Sequence, residues 1–361
     1  MHIPDGYLSP ATCAALYAGS APFWYVALQR VQKALHTRLI PLLSLFAAFS
    51  FVIMMFNLPL PGGTTGHAVG VGLASVVLGP WAGMLAISIA LVIQALFFGD
   101  GGITAIGANC FNMAIVGSLV SYGVYRVVAG GSALASPRRV IAAGLAGYSA
   151  INLSALCAAL EFGLQPLFYR DASGAPLYCP YPLRITIPAM MIGHLTIAGL
   201  AELLVSAGVV GFLQRSNPEL LRATAGQAAD SGAVDGGRGA LRPLWISLGV
   251  LMIATPLGIL AGGSAWGEWM SSDYADPAMR QQIAAASLQQ APPSQVPQGL
   301  ERLSTVWTAP FARYAPAYIR SATFGYLLSA MFGVGLVLLA SLALTRWVRR
   351  ARDKTTEAVH S

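Results

Sequence analysis

Residues 67–79, HAVGVGLASVVLG, decide how this chain is laid out, because the stretch is apolar, rich in glycine and short. A helix needs roughly 20 apolar residues to cross a bilayer, and this run falls below that length. Its neighbours are longer. Apolar runs bounded by turn residues give candidate helices at 8–29, 39–57, 81–98, 108–126, 139–162, 184–213, 243–262 and 319–345. Counting residues 67–79 makes nine crossings. Basic residues arbitrate, since loops left in the cytoplasm are enriched in Lys and Arg. With the short stretch counted and the N-terminus outside, the cytoplasmic pieces are 30–38, 126–139, 214–242 and the tail after 345. These hold 15 of the 21 Lys and Arg residues. Without it, Arg126, Arg138 and Arg139 would move to the external side. The expectation is an all-α polytopic membrane protein with nine spans, N-terminus outside and C-terminus in the cytoplasm.

Composition agrees. The 361 residues are 56% hydrophobic and only 10% charged, with a mean hydropathy of +0.64, whereas soluble proteins carry about 25% charged residues. The net charge of +7 is therefore a topology signal. It calls for a lipid bilayer and for no nucleic acid. Cys13, Cys110, Cys157 and Cys179 show no CxxC spacing, and three lie in apolar runs, so they read as small buried hydrophobes.

The chain breaks at residues 214–242, which are polar, Gly/Ala-rich and without apolar periodicity, as a flexible cytoplasmic linker would be. Residues 1–213 form a seven-helix unit. Residues 243–345 form a two-helix accessory part with an external loop at 263–318, and 346–361 a basic cytoplasmic tail. No internal repeat is visible, which counts against a carrier built from inverted repeats. The only lysines, Lys33 and Lys354, do not follow glycine, so no GxxxxGK[ST] phosphate loop exists. HExxH and GxSxG are absent too. The chain is expected not to be an enzyme, to lack an ATPase motif of its own and to carry no resident cofactor.

The opening residues, MHIPDGYLSP, have no basic residue ahead of the apolar sequence and no small-residue cleavage site after it, so they do not read as a secretory signal. His2 stands beside the α-amine of Met1. A metal bound by that amine and by the His2 backbone nitrogen closes a five-membered chelate ring. The Nδ1 atom of His2 adds a fused six-membered ring. Three nitrogens then share a plane, and a fourth completes the square that suits Ni(II) and Cu(II). Histidine is too large to permit removal of the initiator methionine, so the amine stays in place. Taken alone, His2 reads equally as a surface residue of a frayed terminus. His67, in the glycine-rich LPLPGGTTGHAVGVG (58–72), is expected at the same membrane face and is the candidate for the fourth nitrogen.

Four stretches resemble, in order and spacing, the substrate-binding membrane component of the nickel/cobalt energy-coupling-factor transporters, the CbiM/NikM type. They are MHIPDGYLSP, PLPGGTTGHAVG (59–70), LGPWAGMLAISIALVIQALFFGDGGITAIGANCFNMAIVG (78–117) and IGHLTIAGLAE (192–202). The resemblance covers residues 1–213. It implies seven helices, metal ligation by Met1, His2 and His67, and transported Ni(II) or Co(II) as the ligand. It further implies separate partners: a coupling transmembrane subunit and cytoplasmic ATP-binding subunits. The remainder, with TPLGILAGGSAWGEW (255–269), resembles the small two-helix companion subunit of such transporters, CbiN/NikN-like and here fused.

Polar residues within spans are functional candidates by default. Asn109 and Asn112 could hold His67 by hydrogen bonds, or Asn109 could cap the helix that begins there. Asp100, in a Gly-Asp-Gly-Gly turn, reads as structural. His194 and Glu202, eight residues apart on nearly one helix face, would either support the metal site or join helices, with His194 a candidate supporting residue. Glu161 is expected to anchor the membrane interface, and His36 and His360 carry no role.

The expected function is capture of nickel or cobalt ions at the cell (inner) membrane for an ATP-driven importer. Its rivals are a gradient-driven carrier acting alone and a metal sensor without transport. The charge distribution yields a direct test. A reporter fused after residue 230 should be cytoplasmic and one inserted near residue 290 external; finding both on one face would remove the nine-span arrangement.

Overall fold

The computed structural model describes residues 1–33, 39–224, 241–316 and 318–360. Residues 225–240 of the expected linker, and His36, lie outside them. Among the described residues the protein is almost wholly helical, with a two-stranded hairpin as its sheet.

Helix α1 (Pro10–Lys33) starts where Ser9 accepts the Thr12 amide on its hydroxyl at 3.0 Å, with proline at the first helical position. Helix α2 (Leu39–Met54) returns to the face where the chain began and leads into β1 (Leu58–Leu60) and β2 (Thr64–Gly66), paired antiparallel. Next come α3 (Val71–Leu78) and α4 (Pro80–Ile93), then α5 (Ile106–Asn109), α6 (Gly117–Ala129) and α7 (Pro137–Phe168). They are followed by α8 (Leu183–Gly193), α9 (Gly199–Ser216), α10 (Arg242–Ala254), the short loop helices α11 (Pro277–Ala286) and α12 (Gln298–Leu303), and α13 (Ala322–His360).

Among the described residues, six helical segments are long and apolar enough to cross a membrane: Pro80–Phe98, Ile106–Ala129, Pro137–Phe168, Leu183–Ser216, Arg242–Leu260 and Ala322–Trp347. Ile40–Met54 is a shorter apolar helix. Three of the long segments are α-helices joined or ended by wide π turns, at Gln94–Phe98, Cys110–Val116 and His194–Ala198. Such turns leave carbonyls and side chains off the regular ladder and recur at functional sites.

The third crossing differs from the expectation. Residues 67–79 do not make a membrane-spanning helix: α3 has 8 residues, about 12 Å at 1.5 Å per residue. Bonds before and within α3 reach segments far apart in sequence. Thr65 donates its amide to Ser264 in the loop that follows α10. Val76 accepts the Thr224 hydroxyl, from the segment after α9. A hairpin, an irregular loop and a half-length helix thus replace a full span.

Irregular backbone is tolerated at membrane depth only where protein satisfies its polar groups. Glu202 of α9 does this. Its carboxyl oxygens accept the amides of Val69 at 2.7 Å, Gly70 at 2.9 Å and Gly72 at 3.0 Å, which are the first donors of α3 and of the loop before it. Close packing completes the arrangement. A Cβ on Gly72 would lie 2.5 Å from both the Gly147 Cα and the Ser206 hydroxyl, so only glycine lets α3 sit between α7 and α9.

Glu202, expected to support the metal site or join helices, is therefore the cap of α3. Glu202→Gln offers one acceptor oxygen where two are used and should cost about 1–3 kcal/mol. A thermal midpoint in detergent unchanged from the parent protein would contradict this role.

Candidate metal centre

The first nine residues are an irregular, largely buried segment rather than a frayed end. Met1 is 3% exposed, His2 1% and Ile3 fully buried. Main-chain and side-chain bonds fix this segment along its length. Asn109 receives the Ile3 amide on Oδ1 at 2.8 Å and donates Nδ2 to the Ile3 carbonyl at 3.1 Å. Gly102 donates to the same carbonyl at 2.8 Å. The Asp5 carboxylate accepts the amides of Ile103 at 3.1 Å and Thr104 at 2.8 Å. A Cβ on Gly102 would stand 2.3 Å from the Asp5 nitrogen, so the Gly-Asp-Gly-Gly turn needs glycine there because the N-terminal segment lies directly against it.

This anchoring sets His2 beside His67, with ring centroids 5.1 Å apart. His67 sits in the loop between β2 and α3, outside the membrane-spanning helices, and is 5% exposed. Its Nδ1 lies 3.1 Å from the Ala68 carbonyl. A carbonyl only accepts, so that nitrogen carries the proton and Nε2 keeps its lone pair. Burial first, then the charges of His2 and of the amino terminus, push His67 down to about 3. It is a neutral imidazole at physiological pH, the form that binds metal.

Two carboxylates face the same place. The Met1 amine is 3.5 Å from Glu268 Oε1, and His2 Nδ1 is 3.0 Å from Asp100 Oδ1. Asp100, read from sequence as a turn residue, thus reaches the centre itself. Its other oxygen accepts the Tyr314 hydroxyl at 2.6 Å and a longer bond from Gln94 at 3.4 Å. Burial would raise the Asp100 carboxyl, but His2, His67 and the Tyr314 hydroxyl hold it well below the ordinary carboxylate range. Glu268 moves the other way, raised by burial against the opposing pull of the amino terminus.

The remaining candidates fall elsewhere. Asn109 neither caps a helix nor holds His67; it grips Ile3. Asn112 donates to Glu161 Oε2 at 2.8 Å, so Glu161 has a buried-side partner rather than an interfacial role alone. His194 donates from Nδ1 to the Met190 carbonyl at 2.7 Å, back into α8. No hydrogen bond joins it to Met1, His2 or His67 among the described residues.

Glu268 and Tyr314 escaped the sequence reading. Both lie in the loop between α10 and α13, far from the other groups in sequence. The available signal was a lone acid set among tryptophans, AWGEWM at 265–270.

The family described as the cobalt uptake substrate-specific transmembrane region, CbiM, matches residues 2–220. The fused nickel transport protein NikMN of Rhodobacter capsulatus is 54% identical over 349 residues, covering 97% of this chain and 98% of that protein. The cobalt transport protein CbiM of Ruminiclostridium cellulolyticum is 35% identical over 178 residues, 48% of this chain and 68% of that protein. The crystal structure of a transition metal transporter is similar in fold, with a TM-score of 0.56 and 48% identity. It covers 60% of this chain and 93% of that one.

Asn109 and Asn112 make a discriminating pair. Losing both bonds to Ile3 in Asn109→Ala should weaken nickel binding about 10–100-fold, whereas Asn112→Ala, which touches Glu161, should change it less than about threefold. Competition against a chromogenic chelator reads both, and equal losses would contradict the assignment.

Proposed function

The chain belongs to the CbiM family of cobalt uptake substrate-specific transmembrane regions, and on that premise we propose that it captures nickel or cobalt ions for an ATP-driven importer. It is a multi-pass membrane transport component for nickel or cobalt. The cation would be held by four nitrogens: the Met1 amine, the His2 backbone nitrogen, His2 Nδ1 and His67 Nε2. The observation that carries this reading is the burial of a free amino terminus and His2 against the His67 ring, 5.1 Å away. Burying an ammonium group is costly unless it is used.

Nickel is favoured over cobalt on two grounds. A planar nitrogen square suits Ni(II), and the match to the fused nickel protein of Rhodobacter runs through 97% of this chain. Residues 1–213 would hold the capture unit, with the linker, accessory part and tail as its fused companion. Energy would come from a separate coupling transmembrane subunit and cytoplasmic ATP-binding subunits at the inner membrane, since the sequence holds no phosphate-binding loop of its own.

Uptake of radioactive nickel tests the reading. Cells making this chain alone should accumulate little, and cells that also make the coupling subunits should accumulate it in an ATP-dependent way. Gradient-driven uptake by the chain alone would overturn the proposal.

The chelate also fixes a pH dependence. The amine and the amide must each lose a proton before binding, so affinity should fall as pH drops from 8 to 6. His67, already deprotonated far above its pKa of about 3, should add nothing in that window. An affinity independent of pH would exclude amide and amine ligation.

A further inference from the structure

The four-nitrogen set leaves Asp100 and Glu268 without a task, yet each touches it. One donor atom from His2, one from Asp100 and one from Glu268 all lie within 4.8 Å of one another. His2 is 1% exposed, and neither of its ring nitrogens makes a hydrogen bond. Nδ1 is 3.0 Å from Asp100 Oδ1 but out of line for one. Buried polar atoms in folded proteins are almost always bonded. An idle imidazole aimed at two carboxylates is a donor set with room for a ligand.

Each donor is held by a different element. Asp100 follows the wide turn that ends α4, and Tyr314 and Gln94 tie down its second oxygen. That leaves Oδ1 for His2. Glu268 sits between Trp266 and Trp269, which are both buried and stack edge-on to each other at 5.7 Å. Trp307 and Phe311 of the same loop donate to the free carbonyls of Leu96 and Phe97 at 2.8 and 2.9 Å. The loop between α10 and α13 therefore brings Glu268 to the amine from one limb and Tyr314 to Asp100 from the other. Both residues lie beyond residue 220, where the family match ends, in the part shared with the fused Rhodobacter protein.

We propose that His2, Asp100 and Glu268 form a second, mixed nitrogen–oxygen site for a divalent transition cation, which receives the hydrated ion before it enters the four-nitrogen set. The inference rests on the capture function proposed above. A hydrated divalent ion carries oxygen ligands, and two carboxylates with one imidazole replace three of its waters without deprotonating any amide. The two negative charges draw the dication to the amino terminus. His2 Nδ1 belongs to both sites, so the ion shifts by exchanging two carboxylate oxygens and its remaining waters for the Met1 amine, the His2 main-chain nitrogen and His67 Nε2. The freed Glu268 and Asp100 carboxylates stand next to Met1 and His2 to take up the amine and amide protons. The accessory part then contributes a ligand of its own to capture.

Manganese(II) isolates this site, because it favours oxygen donors and water and does not displace amide protons. The full chain in nanodiscs is titrated with manganese(II) chloride and followed by electron paramagnetic resonance, with folding checked by circular dichroism. Parent protein and Asn112→Ala, whose side chain bonds to Glu161 instead, should each bind one manganese ion with affinities within about twofold. Glu268→Gln and Asp100→Asn, placed on separate elements, should each weaken it by about tenfold or more. Folded parent protein that binds no manganese, or both variants binding it as the parent does, would overturn the proposal. Nickel titrations of His67→Ala keep the two readings apart: nickel binding undiminished in that variant would refute the four-nitrogen set while leaving the mixed site standing.

Discussion

Three amides share one carboxyl group at the centre of this protein. Val69, Gly70 and Gly72 all donate to Glu202, and through that grip the chain can leave helical form inside a helical bundle. Without such a partner each of those groups would stand unsatisfied in an apolar interior, at several kcal/mol apiece. With it, the third crossing becomes a loop and an eight-residue helix, and the loop is what delivers His67 to the buried amino terminus. A regular helix through residues 67–79 would pair the Gly72 amide internally, would still leave those of Val69 and Gly70 among its unpaired first donors, and would place no irregular backbone beside His2.

The amino terminus obeys a parallel constraint. A buried segment outside any helix or sheet has backbone groups to satisfy, and here Asn109 and Gly102 do so for Ile3 while Asp5 accepts the amides of Ile103 and Thr104. The terminus is thereby threaded into the bundle with its amine facing Glu268. Structural and functional parts are joined in one piece: the same turn that carries Asp100 also carries Gly102, which packs on Asp5. The loop between α10 and α13 packs onto this assembly, bonding to β2, to the turn ending α4 and to Asp100.

Much of this was legible in the sequence, for reasons of period and spacing. The long apolar runs announced their helices because hydropathy acts locally, and the chelate proposed for Met1 and His2 was suggested by covalent ring sizes. His67 was legible because glycines surround it. What failed to show was whatever depends on the third dimension. The short third crossing looked like a weak span, since the sequence of α3 is apolar and only the hydrogen bonds from Glu202, 130 residues away or more, make a half-helix sufficient. Asp100 passed for a turn residue because its turn is real. Asn109 and Asn112 share one helical run, yet one faces Ile3 and the other Glu161, across a π turn that no periodicity argument detects. Glu268 and Tyr314 could not be assigned from spacing, because long connections carry no geometric information.

The central claim is that a cation is held by nitrogen alone at the start of the chain. X-ray absorption at the nickel edge of the purified, nickel-loaded protein tests it most directly. The account requires four nitrogen neighbours in a planar set, with the multiple-scattering signature of imidazole and no sulfur despite the adjacent Met1 thioether. A six-coordinate shell of mixed oxygen and nitrogen, or a sulfur neighbour, would contradict it.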